Sequence, residues 1–527
     1  MARLMLLLAI SGILITTSAA FRILTIPCSH KGHINMFSIM ARAFKDSGHD
    51  VDVLVMESRR SLVDSKGVTA VPYNTVPEAR SLETNEFLEK TIMSDLTSAF
   101  DLFSEITRLS TILIEGILQD TNLMEKLEKA HYDLVIVDGI DFARALYIIP
   151  YTLGIKYMTV TARYNPWGAG VPALPSVDHL AGISSPITEN STIFEKIQNI
   201  LKSVMVYRNM PPPILQDSII ARYAPTRPKA TFDDLFRASE MWITNLDTVC
   251  LDWPRLHSNH FQFVLGLSLE PPKPLPEDLE AFVQGSKVGV IIVTFGSALM
   301  NIPVEMLEKM LPVFAQIEHR VLIRHSGQID GKVPANVKMM SWIPQSDLLA
   351  HPKTKIFITH GGGNGQLEAV YNSVPMITIP MFGDQFYNAD RAKLRGFAIT
   401  LNKQTFTSDD LLRAIKFFSK DKQTKERIRQ CSAKLRRMPN AHDTVVFWAE
   451  HVIQFGGDHL KPVSFRVPLW KAFMLDILAL FMIIVLIIYT LLLFVAYKLY
   501  RKFFSAGKDV RIKSLCRLQL SFMAIFM

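Results

Sequence analysis

Apolar residues in this chain gather into two arrays of short continuous runs, each run followed by a stretch at helical spacing, and then into one long run near the end. Arg22-Ile23-Leu24-Thr25-Ile26 shows no polar alternation, so it predicts a strand covered on both faces. A glycine-containing turn follows, then an amphipathic pattern from about residue 33 to 47, then a second run at 51–56. That order opens a βαβ unit. Runs at 134–137, 157–160 and 242–245 predict further strands. The segment Pro271-Pro272-Lys273-Pro274-Leu275-Pro276 can neither fill a hydrogen-bonded ladder nor continue a helix, and it predicts a stiff linker within residues 266–285. A second alternation then runs through 288–293, 321–323, 337–340, 356–358 and 376–379. The expected architecture is two doubly wound α/β domains, residues 21–265 and 286–465, with ligands at the carboxyl ends of the strands and a site in the cleft between the domains.

The two ends change the picture. Arg3, an apolar run over residues 4–15 and small residues at Ser18 and Ala20 predict a removable signal peptide over residues 1–20. Residues 477–497 carry no charge and are long enough to cross a bilayer, so a transmembrane helix is expected at 473–498. Lys498, Arg501, Lys502, Lys508, Arg511, Lys513 and Arg517 follow, with only Asp509 against them. Most of the formal net charge of +8 therefore belongs to a cytosolic tail, residues 499–527, and speaks for the positive-inside rule rather than for nucleic acid. The bulk of the chain is expected to be lumenal, as a type I membrane protein. Of 4 cysteines, Cys516 falls in the tail, and the rest imply no disulfide framework. Asn190-Ser191-Thr192 is an N-glycosylation sequon, which agrees with a lumenal position.

Candidate chemistry concentrates at Thr359-His360-Gly361-Gly362-Gly363-Asn364-Gly365, directly after an apolar run and directly before the helix-forming Gln366-Leu367-Glu368-Ala369-Val370. Glycines let backbone N–H groups approach a ligand, and a helix N-terminus adds positive charge, which together suit a diphosphate. A dinucleotide-binding oxidoreductase would want Gly-x-Gly-x-x-Gly, and the final glycine is missing at that spacing. A lipase-like hydrolase could use His-Gly-Gly-Gly as an oxyanion hole, but no Gly-x-Ser-x-Gly elbow occurs in the chain.

Together, Trp342-Ile343-Pro344-Gln345, His360 through Gly365, Glu368 and Pro380-Met381-Phe382-Gly383-Asp384-Gln385 resemble the signature of the UDP-glycosyltransferase family, closest to its animal UDP-glucuronosyltransferase branch. The resemblance implies the GT-B fold, two Rossmann-like domains facing a cleft, plus one C-terminal transmembrane helix. It also implies roles. Trp342 stacks on uracil and Gln345 bonds its edge; His360, Gly361, Gly362, Asn364 and Gly365, with Ser297 from another loop, hold the diphosphate. Glu368 takes the ribose hydroxyls, and Asp384 and Gln385 bind the transferred sugar. Family members carry their catalytic base in the turn after the first strand, here Cys28-Ser29-His30-Lys31-Gly32-His33. The interval from His33 to His49 matches that of relatives, so His33 is expected to be the base, with His30 as the alternative. Asp138, closing a strand, is its expected carboxylate partner; Asp141 is less well placed.

Inverting transfer of glucuronate from UDP-glucuronate to a hydroxyl of a small lipophilic acceptor is the expected activity, with the acceptor held by residues of the region 60–240. A UDP-glucose-dependent glucosyltransferase and a non-catalytic relative are the alternatives. No metal or cofactor is expected, the UDP-sugar being a co-substrate. Asp50-Val51-Asp52 has the letters of a metal-carrying Asp-x-Asp motif, but it opens a strand in the half opposite the donor residues. A homo-oligomer stays compatible with the sequence. Endoplasmic-reticulum residence is expected, although the apolar end, residues 523–527, carries no dilysine signal.

Overall fold

The computed structural model describes residues 20–84, 99–166, 168–171, 191–209, 217–297, 299, 301–327, 333–462, 467, 469–472 and 474–504. The expected signal peptide, Asn190 and the basic tail beyond residue 504 lie outside the described residues. The chain divides into a unit ending at Lys461 and a second beginning at Pro462.

Among the described residues of the first unit, thirteen strands form two wholly parallel sheets. One contains β1 (Arg22–Ile26), β2 (Asp50–Met56), β3 (Thr69–Tyr73), β4 (Leu134–Asp138), β5 (Tyr157–Thr161), β6 (Trp242–Thr244) and β7 (Phe261–Phe263), in the order β3-β2-β1-β4-β5-β6-β7. The other contains β8 (Val290–Thr294), β9 (Arg320–Arg324), β10 (Val337–Met340), β11 (Thr354–Thr359), β12 (Met376–Thr378) and β13 (Ala398–Thr400), in the order β10-β9-β8-β11-β12-β13. Each sheet reverses direction at one switch point, between β1 and β4 and between β8 and β11. Ile23, Leu24, Val135, Ile136, Ile291 and Ile292 are fully buried, because helices cover both faces of each sheet.

Seven helices matter for the site and its support: α1 (Lys31–Asp46), α2 (Glu277–Gln284), α3 (Gly363–Tyr371), α4 (Gln385–Leu394), α5 (Lys422–Leu435), α6 (Ala441–Phe455) and α7 (Leu475–Phe504). Helix α1 buries Ile34, Phe37, Met40 and Phe44 at helical spacing, each contributing about 1.5–3 kcal/mol of transfer free energy. The expected linker is partly helical: α2 begins directly after Pro276, and Leu279 and Val283 bury into the second sheet's core. Helix α6, from the end of the region expected to form the second domain, packs Val445, Ala449 and Val452 into the core of the first sheet beside Phe37 and Met40. Its Glu450 sits 3.1 Å from His49.

The absence of a disulfide framework needs correcting. Cys250 and Cys431 form a disulfide, 181 residues apart in sequence, fastening the segment after β6 to α5. Spacing in sequence could not reveal it, because the two thiols meet only once both sheets are formed. Cys250→Ser should lower stability by about 2–5 kcal/mol, read as a drop in the thermal unfolding midpoint. Reductant should lower the wild-type midpoint and leave the variant's in place.

In the second unit, α7 is a 30-residue helix whose Leu475–Arg501 stretch is long and apolar enough to cross a membrane. It overruns the expected 473–498 at its C-terminal end.

Candidate active site

Both switch points carry the residues singled out by sequence. At the first, β1 ends at Ile26 and the chain turns through Cys28 to His30, which stands as N-cap of α1, placing His33 in the helix's first turn. Asp138, the last residue of the neighbouring β4, is fully buried. The two meet: His33 Nδ1 lies 2.7 Å from Asp138 Oδ2. Asp138 also accepts from the Cys28 N–H at 3.1 Å and the Ile140 N–H at 3.2 Å, so the carboxylate is fixed from the turn and from its own strand end. The proton between ring and carboxylate belongs on Nδ1, which leaves Nε2 as the basic nitrogen. Burial pushes the His33 ring down, yet the Asp138 carboxylate outweighs it and holds the ring well above its ordinary value. Burial likewise opposes ionisation of Asp138, but His33 and the N–H donors keep its carboxyl below the usual range.

His30 has a different environment. It packs edge-on against Phe142 at 5.3 Å, and burial together with neighbouring His33 and Arg59 drives it down to about 3. Asp141 is committed elsewhere, accepting from Asn165 at 2.7 Å and pairing with Arg144 at 3.2 Å. Cys28 completes a cluster that spacing alone did not suggest: Cys28, His33 and Asp138 bring three ligand-capable atoms within 4.8 Å of one another. Burial first, then the Asp138 charge, raises the Cys28 thiol, so it stays protonated at neutral pH. Asp50 and Asp52 stand at the opposite, amino-terminal end of their strand, where Asp52 accepts from Tyr132 at 2.7 Å and pairs with Arg22 at 3.5 Å.

At the second switch point, Ser297 follows β8, while His360 through Gly362 connect β11 to α3, whose first turn holds Gly363, Asn364 and Gly365. The two loops are interlocked. Gly296 (φ 75°) approaches the His360 ring so closely that an added Cβ would stand 2.5 Å from it, and Gly361 (φ 85°) occupies the left-handed region glycine tolerates. Within α3 the Gln366 N–H donates to Gly362 O at 3.0 Å. The N–H groups of Gly363, Asn364 and Gly365 precede it in the helix's first turn, the position suited to a phosphate. Burial lowers His360 to about 4, Asp384 opposing and Arg324 assisting, so the ring is neutral at pH 7.

Trp342 is 67% exposed, an open face for a planar base, with the Arg324 guanidinium 5.2 Å from its ring on one side. Gln345 accepts from Thr294 at 2.9 Å and donates to Glu368 at 2.7 Å, which joins the residues expected at uracil and ribose. Burial raises the Glu368 carboxyl, and hydrogen bonds from Gln345 and Ser346 restrain the rise. Asp384 is N-cap of α4, and Asn388 donates to it at 2.9 Å. Gln385 is buried, with its oxygen accepting from the Met381 and Phe382 N–H groups at 2.8 and 3.1 Å.

The switch points face one another. A methyl group at Gly32, beside His33, would lie 3.9 Å from Ser297 Oγ. Arg163, two residues past β5, stands 3.7 Å from Asp384. Sequence reasoning passed over Arg163 and over Arg324, which ends β9 and donates to Gly296 O at 2.6 Å. A usable signal existed: both lie at strand carboxyl ends, as Asp138 does.

Comparison with known proteins shows the family and the fold. The family model described as UDP-glucoronosyl and UDP-glucosyl transferase matches residues 21–510. UDP-glucuronosyltransferase 2A3 of Homo sapiens is 30% identical over 481 residues, covering 87% of this chain and 89% of that protein. UDP-glucuronosyltransferase 2B13 of Oryctolagus cuniculus is 30% identical over 510 residues, covering 92% and 94%. Among solved structures, the glycotransferase of kitacinnamycin superposes with a TM-score of 0.59 at 19% identity, over 82% of this chain and 98% of that one. Spinosyn forosaminyltransferase SpnP does so with a TM-score of 0.59 at 18% identity, over 83% and 100%. The fold is GT-B, and the chain belongs to the UDP-glucoronosyl and UDP-glucosyl transferase family.

Proposed function

We propose that this protein is an inverting UDP-glucuronosyltransferase that moves glucuronate from UDP-glucuronate onto a hydroxyl of a small lipophilic acceptor, without a metal or cofactor. The observation that carries the reading is the His33–Asp138 contact of 2.7 Å at one switch point, facing Ser297 and the phosphate loop at the other. The names of the relatives favour glucuronate as the sugar.

In this reading the acceptor lies against the N-terminal half and the donor against residues 286–465. His33 Nε2 takes the acceptor proton as the oxygen bonds to the anomeric carbon. The bond from that carbon to the β-phosphate oxygen breaks, and UDP leaves with the electron pair. Asp138 stabilises the imidazolium and fixes its tautomer. The new charge on the phosphate is met by the α3 N-terminus, with His360, Asn364 and Ser297 lending hydrogen bonds. Trp342, Gln345 and Glu368 hold uridine; Asp384 and Gln385 hold the sugar.

The catalytic unit is assigned to the lumen of the endoplasmic reticulum, with α7 as a single span. The Cys250–Cys431 disulfide supports an oxidising compartment. Asn190 is the candidate glycosylation site.

The test offers UDP-glucuronate and UDP-glucose together, at equal concentration, to membranes containing the full chain, with a mixed phenol and sterol acceptor set. Glucuronide should dominate, and EDTA should leave the rate unchanged. Dominant glucoside would assign the other donor, and a rate restored only by manganese would remove the metal-independent mechanism.

A further inference from the structure

Glucuronate and glucose differ only at C6, a carboxylate in place of a hydroxymethyl group, so a site that prefers glucuronate needs a cation or a set of N–H donors there. Asp384 makes the need sharper. Its own negative charge beside the sugar would repel a second carboxylate unless a positive group stands between them.

Arg163 is placed to be that group. It extends from the turn after β5, whose Val160 lies in register with Asp138 on β4, and its Nη2 reaches within 3.7 Å of Asp384 Oδ1 across the cleft. Its charge is also felt at His30, whose ring centroid lies 6.4 Å from that of His33 in the catalytic turn. Both partners face the cleft, at 20% and 37% side-chain exposure. Among the described residues the contact of its guanidinium with Asp384 is single and longer than a hydrogen bond, so the planar fork keeps donors for a ligand.

Among the described residues, four other cations near these loops are engaged. Arg324 donates to Gly296 O at 2.6 Å under Trp342, at the diphosphate end. Arg144 pairs with Asp141 and Asp233, at 3.2 and 2.9 Å. Arg59 donates to Leu82 O and Glu83 O, and Lys403 to Met381 O at 3.1 Å.

We propose that Arg163 determines donor specificity, its guanidinium gripping the C6 carboxylate of glucuronate in a two-point contact while Asp384 takes sugar hydroxyls. The inference rests on the glucuronate reading given above. Without donor, Asp384 serves as the counterion; the incoming carboxylate takes over that place.

The test is a ratio measured within each protein, kcat/KM for UDP-glucuronate over that for UDP-glucose, which does not depend on the fraction folded. Arg163→Gln should lower the ratio roughly 10- to 100-fold, chiefly through the glucuronate value, with UDP affinity unchanged. Arg163→Lys, which keeps the charge but loses the fork, should give an intermediate ratio. If Arg163→Gln is too slow to assay, displacement of bound UDP by each sugar nucleotide supplies the ratio of ground-state affinities, which should fall in the same direction. A wild-type enzyme that prefers UDP-glucuronate and keeps that preference in Arg163→Gln would overturn the inference alone. A wild-type enzyme that prefers UDP-glucose would overturn the glucuronate reading, and the inference with it.

Discussion

Replacing His33 with alanine is expected to lower kcat by about 10²- to 10⁴-fold while UDP still binds. In the proposed mechanism the base acts on the acceptor proton in the transition state, whereas the residues assigned to UDP come from the other sheet. The neighbouring His30 provides the control, since the short contact with the carboxylate is made by His33 and burial keeps the His30 ring neutral. An inactive His30→Ala beside an active His33→Ala would reverse the assignment. Asp138→Asn should also be slow, because an amide can hold the ring in the wrong tautomer and cannot balance the imidazolium.

The pH profile separates these roles. Asp138 holds His33 above its ordinary value, and a base must be unprotonated, so wild-type kcat/KM should rise with pH through that elevated value. Removing the carboxylate lowers the His33 value. The acidic limb of Asp138→Asn should therefore shift to lower pH even as the plateau falls. A limb that stays in place would mean that another group titrates.

Asp252→Ala is expected to destabilise the fold by about 3–5 kcal/mol, far more than the loss of any exposed ion pair would. Asp252 is fully buried and accepts from Arg255 at 3.0 Å, Tyr387 at 2.7 Å, Arg391 at 3.1 Å and the Trp253 N–H at 2.8 Å. Tyr387 and Arg391 belong to α4, the helix that begins directly after Asp384, so the cluster fastens the connection between β6 and β7 to that helix. Removing the carboxylate strands two guanidinium groups in the interior. Burial alone would raise the Asp252 carboxyl, but Arg255 and Arg391 outweigh it and bring the group down to about 2, from 3.8. Its contribution is present at and above pH 3.8 and fades as pH falls toward 2. Urea unfolding should show a large gap between wild type and variant at pH 7, and the gap should narrow across that acidic window. A gap that is constant with pH would point to lost packing instead of lost charge.

Strands were legible where both faces are covered, since β1, β4, β8 and β11 then carry short apolar stretches without polar alternation. The three strands that the apolar runs did not predict, β3, β7 and β13, are all sheet edges. Edge strands are short and half-solvated; β7 and β13 have only three residues each, and β3 contains Pro72, which a central strand would not tolerate. Their signal is weak for the same reason that they end the sheet.

By itself the sequence determined the two α/β repeats, the apolar span and the loops that close the central strands, because each depends on neighbours within a few residues. The turn that carries His30 and His33 and the His360–Gly365 loop follow from that local order. Only the tertiary structure decided which of two histidines meets Asp138, that Cys250 and Cys431 pair, that α6 crosses back to the first sheet, and that Arg163 faces Asp384. Each of these joins residues 105 or more positions apart, or from opposite sheets. Such a pairing is set by how the sheets stack and by which groups burial forces to find a partner, and neither leaves a trace in local spacing.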